Sequence, residues 1–486
     1  MKSGDDVEEL KAKRICFQCV GEEYLAAKIN AEGRRRKCAY CGILRKSFSI
    51  SEMSECIEAA FESHYVRTSD QPDDMQYSML RDRESNYEWE RDGEPVVYAI
   101  MNAAEIPEAA AEDIQAVLDD KHGDFEADKM GEETEFSTDS HYTERGADPS
   151  HWMMEWRSFD ESLRSEARFF SKSAEQHLAS VFDQLEILET RDGRPVILDA
   201  GPETSLREVF RARVFQDDNS LEAALMRPDR HLGPPPSRLA NAGRMNARGI
   251  SVFYGANSEA VALAEVRPPV GSRVAVARFE IVRPVRLLDL TAFNGVIARG
   301  SIFDAGYAGR LERSAFLRSL SQRLARPVMP DDEAFAYLAT QAVADYLSTD
   351  YEKRLDGIIY PSVQAGGSAR NVVLFYKAAR VEELSIPEGT EISASLYSHG
   401  EDEGPDYSVV ERTPPEQAKQ DNDKSKFPLT TFVRPSLFIF EREDWREETL
   451  QVDAENIHVH HIEAVEIKST ASRVLRHRWE KREPDF

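Results

Sequence analysis

The 486-residue chain carries 88 Asp and Glu against 61 Lys and Arg, a formal charge of −27, with 41% apolar residues. So acidic a surface argues against non-specific binding to nucleic acid or anionic membrane, since both are polyanions, and no run of 18 apolar residues is available to span a bilayer. The length calls for two to four structural units. Five cysteines in a chain this long make no disulfide framework. The opening MKSGDDVEELKAKR is charged throughout and lacks the apolar core of a signal peptide. The expectation is a soluble, cytoplasmic protein of a reducing compartment.

Residues 1–50 contain two CxxC pairs, Cys16 with Cys19 and Cys38 with Cys41, separated by 18 residues. That is zinc-ribbon spacing. Four thiolates close a tetrahedral site and leave no open position, so the expected cofactor is a structural Zn2+. Gly42 suits the tight turn of the second pair. GRRRK (33–37) reads as a solvated basic loop, the one place where nucleic acid could be touched, and Cys56 as a core thiol.

Residues 51–200 read as an acidic, mostly helical domain; 69–150 hold 24 Asp and Glu against 6 Lys and Arg. Ile114, Val117 and Leu118 fall on one helical face. Arg145 and His151 have the R-x5-H spacing of HEPN-type ribonucleases, but Gly146 and Pro149 prevent one helix face from presenting both. A helical run over 158–188 carries an apolar stripe of Phe169, Phe170, Leu178, Val181, Phe182 and Leu185, a packing face. Beyond 385 the chain is polar, with a mobile loop expected at 411–426 and strands at 435–440 and 458–468. His458 and His460 would share one face of the last strand, facing solvent. No Walker, HExxH or GxSxG pattern and no internal repeat is present.

Residues 205–300 reverse the charge: 14 Arg, no Lys and 9 Asp or Glu. Arginine's fixed fork suits phosphate or carboxylate, and the alternative is pairing with the acidic segment. A structured loop (233–249) precedes a strand (250–255) with Ile250, Val252 and Tyr254 on one face. Asn257 is placed to cap the next helix, which Arg267-Pro268-Pro269 stops. Glu265 then lies in the last helical turn, where the helix dipole disfavours an anion by about 0.3–1 kcal/mol. A carboxylate poorly placed for stability is a candidate for function; pairing with Arg267 or another arginine is the plain alternative.

The segment LGPPPSRLANAGRMNARGISVFYGANSEAVALAEVRPPVG resembles the RES family. That pattern has an Arg in a Gly-Arg-x-Asn turn, a Tyr about ten residues on, a Glu about eleven later, a Ser in an Asp-Gly-apolar-Pro-Ser strand and an Asn before the next strand. Here these are Arg244, Tyr254, Glu265, Ser362 and Asn371, with an earlier Arg at Arg211 or Arg213. The resemblance covers about 205–385. It implies an α+β fold, an ADP-ribosyltransferase-like split sheet around an NAD cleft, preceded by the ribbon and the acidic helical domain in a HEPN/RES-type arrangement. It also implies an NAD-degrading toxin that cleaves the nicotinamide–ribose bond by hydrolysis or phosphorolysis. In that reading Glu265 stabilises the oxocarbenium-like ribose and Arg244 clamps phosphate. Tyr254 holds the nicotinamide end and Ser362 positions the amide or acceptor, while Arg211, Arg213, Asn246 and Asn371 bind the dinucleotide. An ADP-ribosyltransferase acting on a macromolecule, or a ribbon-based binding protein with an inactive RES domain, are the alternatives. The domains so drawn are 1–50, 51–200, 201–385 and a C-terminal extension, 386–486. An antitoxin or trigger protein and a second copy of the chain are the protein partners left open. The opposite charges of 69–150 and 205–300 make autoinhibition of the site one expectation.

Overall fold

Along the strand Arg273–Ile281 apolar side chains enter two cores: Ala275, Ala277, Phe279 and Ile281 on one face, Val274 and Val276 on the other. A strand buried on both faces belongs inside a sheet. In the computed structural model, which describes residues 4–82, 86–166, 168–351, 354–397, 405–414, 444–466 and 469–479, it lies within a mixed eight-stranded sheet. We number the strands of this sheet β1 (Ile197–Ala200), β2 (Glu208–Phe215), β3 (Phe253–Ala256), β4 (Arg273–Ile281), β5 (Val285–Asp289), β6 (Gly357–Pro361), β7 (Arg370–Leu374) and β8 (Leu450–His461). Their spatial order is β8-β4-β2-β3-β7-β6-β5-β1. Only β5 and β6 run parallel. The link between β2 and β3 is a single residue pair, Phe210 opposite Ala256.

The chain divides into two compact units, Met1–Val196 with Ala292–Gln322, and Ile197–Thr291 with Arg323–Phe486. The eight-stranded sheet belongs entirely to the second. One of its faces is packed by Val209, Phe253, Phe279, Leu287, Ile359 and Leu374. Against the other lies the short helix Glu259–Glu265, through Val261 and Ala262. The C-terminal extension contributes one strand to this sheet, since β8 pairs along β4 from Arg273 opposite His461 to Ile281 opposite Leu450, while Glu391–Tyr397 and Pro405–Arg412 pair as a separate two-stranded sheet.

In the first unit the ribbon is a three-stranded sheet of Arg14–Cys16, Leu44–Ser49 and Arg34–Lys37, with Leu44–Ser49 in the middle. It does not stand alone. Ile15, Leu25, Ile29 and Phe48 share one core with Met53 and Ile57 of the helix Ile50–His64, Ile100 of Val96–Ala104, and Ile114 of Glu108–His122. Asp113 adds a polar tie, accepting from Lys13 Nζ at 2.8 and 2.9 Å and from Tyr40 Oη at 2.8 Å. Boundaries drawn by contacts therefore differ from 1–50, 51–200, 201–385 and 386–486, since composition does not report which cores are shared.

Several local expectations change. Within GRRRK, Arg34–Lys37 form an exposed edge strand rather than a loop. The run over 158–188 breaks into the helices Ser150–Ser165 and Lys172–Val181. Phe169 and Phe170 fall between them, exposed, with Phe170 at φ 63°, while Leu178, Val181, Phe182 and Leu185 are buried as the stripe requires. Ser258, not Asn257, caps the helix Glu259–Glu265; Asn257 instead accepts from the Arg370 amide at 3.0 Å. The last strand is Leu450–His461, so 462–466 lie beyond it. His458 and His460 do meet a carboxylate: both bond Glu259 Oε1, at 2.9 and 2.7 Å, an oxygen brought in by a different element. The strand expected at 435–440 and most of the loop at 411–426 lie outside the described residues, although 411 and 412 close the strand Pro405–Arg412.

Phe253 is fully buried with its ring edge-on to Phe279 at 5.0 Å. Phe253→Ala is expected to cost about 3–5 kcal/mol, read as a lower midpoint in denaturant unfolding followed by circular dichroism.

Candidate functional site

In an antiparallel ladder, residues directly opposite one another face the same side. Phe210, Ala256, Asn371 and Tyr360 are opposite one another in turn across β2, β3, β7 and β6, and all four line a cleft of about 450 Å³. One cross-strand row is thus part of the cleft wall. Tyr254, two residues before Ala256, continues the same face of β3. Glu265 comes to the cleft from the end of the helix Glu259–Glu265, and Arg244 from the loop before β3.

The loop is held by a compact set of hydrogen bonds. Gly243 and Asn246 bridge each other, with Gly243 N–H donating to Asn246 O at 3.0 Å. Tyr254 Oη donates to Asn246 Oδ1 at 2.8 Å and accepts from Met245 N–H at 2.9 Å. Asn246 Nδ2 donates to the carbonyls of Asn241, Ala247 and Ile250. A Cβ on residue 243 would stand 2.6 Å from Tyr254 Oη and 2.7 Å from Asn246 Oδ1, so only glycine fits this turn. Burial pushes the Tyr254 phenol up to about 12, and its hydroxyl is already committed to the loop. The ring, not the hydroxyl, is what Tyr254 offers a ligand.

Glu265 Oε1 accepts from Ser362 Oγ at 2.5 Å, and no other side chain among the described residues bonds the carboxylate. Ser362 Oγ in turn accepts from Ala365 N–H at 3.3 Å. Ser362 therefore acts on Glu265, and the alternative, pairing of Glu265 with Arg267 or another arginine, is not formed among the described residues. Arg244 donates through Nη1 to Leu324 O at 2.7 Å and through Nη2 to Arg326 O at 2.9 Å, with its guanidinium 5.1 Å above the Tyr337 ring. Arg211 is partly buried, with its guanidinium over the Phe253 ring, and donates to Tyr254 O at 2.7 Å.

The structure therefore gathers Arg244, Tyr254, Glu265, Arg211 and Asn371 at one cleft, with Ser362 one hydrogen bond behind. Two of the expected residues are not among those lining the cleft. Arg213 does not line the cleft; it donates to His231 O and lies over Phe215. Asn246 is buried and spends its amide on the loop. Arg267, Glu333, Tyr337, Tyr360 and Gln364 also line the cleft. Tyr360 could have been read from DGIIYPSV, since alternation places it on a shared strand face. Nothing near Glu333 or Tyr337 marks them in the sequence.

Away from this cleft, the sulfurs of Cys16, Cys19, Cys38 and Cys41 all lie within 4.8 Å of one another, with 16–19, 16–41 and 19–38 separations of 3.7, 3.7 and 3.8 Å. Sulfurs sharing one tetrahedral zinc at about 2.3 Å stand about 3.8 Å apart, so the four can hold such a metal. Burial opposes ionisation of Cys38, but backbone N–H groups of Cys41, Tyr40 and Cys16 bring its thiol down to about 7. Gly42 makes the turn at φ 74°, its N–H on Cys38 O at 3.0 Å. Arg145 and His151 do not share a helix: Arg145 follows the strand His141–Glu144, and His151 is in Ser150–Ser165.

A family model described as RES domain matches residues 208–395. That match supports the RES family. No curated protein and no solved structure matches the chain. The matched range contains every residue gathered at the cleft, and a RES domain points at most to an NAD-related, toxin-like family.

Two outcomes are expected from this geometry. Gly243→Ala should disrupt the turn that holds Arg244 and lower the unfolding midpoint by an amount equivalent to about 1–3 kcal/mol, while Ala242→Gly should not. Purified chain should carry one zinc by elemental analysis, with Cys38→Ser lowering both metal content and thermal midpoint.

Proposed function

We propose that the cleft binds NAD and breaks its nicotinamide–ribose bond, as an NAD-degrading toxin or defence effector, with a structural zinc in the cysteine site. The observation that carries this reading is Glu265: a carboxylate at the C-terminal end of a helix, held through one oxygen by Ser362, in a cleft lined by three arginines and three tyrosines.

The chemistry asks little of a general acid. When the C1′–N bond of the nicotinamide riboside moiety breaks, its electron pair passes to the pyridinium nitrogen and nicotinamide leaves neutral. Positive charge then spreads over ribose C1′ and the ring oxygen. A carboxylate beside the ribose stabilises that charge as it develops, which is differential binding of the transition state. Ser362 fixes Oε1, so Oε2 is the atom free to take a ribose hydroxyl. Water or phosphate then attacks C1′ through oxygen, and the proton lost from the attacking oxygen goes to solvent. The Tyr254 ring is the surface for the nicotinamide. Arg244, braced by two carbonyls and Tyr337, keeps the cleft positive.

The test is nicotinamide release from NAD by the full chain, with and without phosphate, separating ADP-ribose from its 1″-phosphate. Glu265→Ala is expected to slow release by about 10²–10³-fold, and Ser362→Ala by about tenfold or more, the worth of one charge-assisted hydrogen bond. Release unchanged in Glu265→Ala would sink the assignment. ADP-ribose appearing on protein or nucleic acid instead of free would favour a transferase.

A further inference from the structure

We propose that Arg267 is the phosphoryl-binding residue of this cleft, its guanidinium aimed by the neutral amide of Gln364 at an oxyanion. That oxyanion is either the pyrophosphate of a dinucleotide or free phosphate acting as acceptor, and the proposal rests on the reading of the cleft as an NAD site.

Three arginines line the cleft, and their hydrogen bonds separate them. Arg211, partly buried in the wall, donates from Nη1 to Tyr254 O, and desolvation lowers it to about 10. Arg244 is spent on the carbonyls of Leu324 and Arg326. With the Gln364 amide turned so that its oxygen faces the guanidinium, Arg267 donates to it from Nη2 at 2.8 Å and Nε at 3.1 Å. A neutral amide orients the fork on one edge without cancelling its charge, and the Nη1 edge is left for a second bidentate partner. The two carboxylates of the cleft are engaged elsewhere: Glu265 by Ser362, and Glu333 by Tyr337 Oη at 3.2 Å. Among the described residues no carboxylate forms an ion pair with Arg267.

The backbone says the same. Arg267 directly follows Val266, the C-cap of the helix Glu259–Glu265, at φ 45°, its N–H on Ala264 O at 3.2 Å. This left-handed position after a helix favours glycine, and an L side chain there is strained. A strained arginine two residues after Glu265, beside the cleft, is the pattern of a side chain kept for its contacts. Gln364 sits in the turn between β6 and β7, where Gly366 and Gly367 take φ 65° and 59°, so two tight turns set the pair.

The experiment uses the full chain in a Glu265→Gln background, which keeps NAD from being consumed, titrated calorimetrically with NAD, inorganic pyrophosphate, inorganic phosphate and nicotinamide riboside. Arg267→Gly removes the fork and relieves the backbone, so its thermal midpoint should not fall. Gln364→Glu keeps size and replaces the amide with a carboxylate that pairs with the guanidinium. Each is expected to weaken NAD and pyrophosphate by about tenfold or more, the loss of a charge-assisted pair, and to leave nicotinamide riboside within about twofold. Weakening confined to inorganic phosphate would keep the anion role and make the acceptor its source. Unchanged affinity for NAD, pyrophosphate and phosphate in both variants would overturn the proposal while leaving the NAD reading intact. If the parent binds pyrophosphate but not NAD, the NAD reading fails and the pyrophosphate loss in Arg267→Gly still upholds the anion role. A parent that binds none of the three anions overturns both.

Discussion

A carboxylate at the C-terminal end of a helix works against the helix dipole, and the second unit is organised around one such carboxylate. Glu265 ends the helix Glu259–Glu265 and is held by a single hydroxyl, Ser362. The dipole term, about 0.3–1 kcal/mol, is small beside the 1.5–3 kcal/mol or so of a hydrogen bond to a charged group. The position is therefore tolerated as long as Ser362 stays in place. Ser362 stays because it follows β6 in a sheet packed on both faces. The distance between this carboxylate and the cleft wall is thus set by strand pairing rather than by the loops.

The arginines of the cleft divide labour by what they touch. Arg211 and Arg244 hold backbone carbonyls and brace the walls, and Arg267 meets a neutral amide. A guanidinium on a carbonyl keeps its charge yet loses reach, so on the proposed reading Arg211 and Arg244 would act on a ligand mainly through field, and Arg267 through contact. The turn at Gly243 belongs to the same framework. Tyr254, Asn246 and the Met245 amide lock together around a position that has no room for a side chain. The first unit shows the same economy: the cysteine cluster borrows its core from the helices beside it, and Asp113 ties Lys13 and Tyr40 to the helix Glu108–His122.

Much of the site was legible because its residue types carry chemistry in fixed order. Glycine before Arg244, a tyrosine on an apolar strand, and a glutamate ending an alanine-rich helix are local facts, and each survives in the structure. What alternation and periodicity could not say is where a side chain's hydrogen bonds go. Asn246, expected at the dinucleotide, spends its side-chain bonds on the loop and does not line the cleft. Asn257 looked like a cap, but Ser258 caps and Asn257 reaches the strand β7. Phe169 and Phe170 fit a helical stripe that stops short of them, between two helices.

By itself the sequence determined the two CxxC pairs, the acidic and arginine-rich halves, and the order Arg244, Tyr254, Glu265, Ser362, Asn371, because each depends only on residue type and spacing. Tertiary structure alone decided that Phe210, Ala256, Asn371 and Tyr360 form one row, that β8 joins the sheet from beyond residue 385, and that Glu259 receives His458 and His460. Those pairings join residues 11 to about 200 positions apart. Their partners are chosen by strand register and by which apolar faces must be buried together, and neither is written in any local stretch of chain.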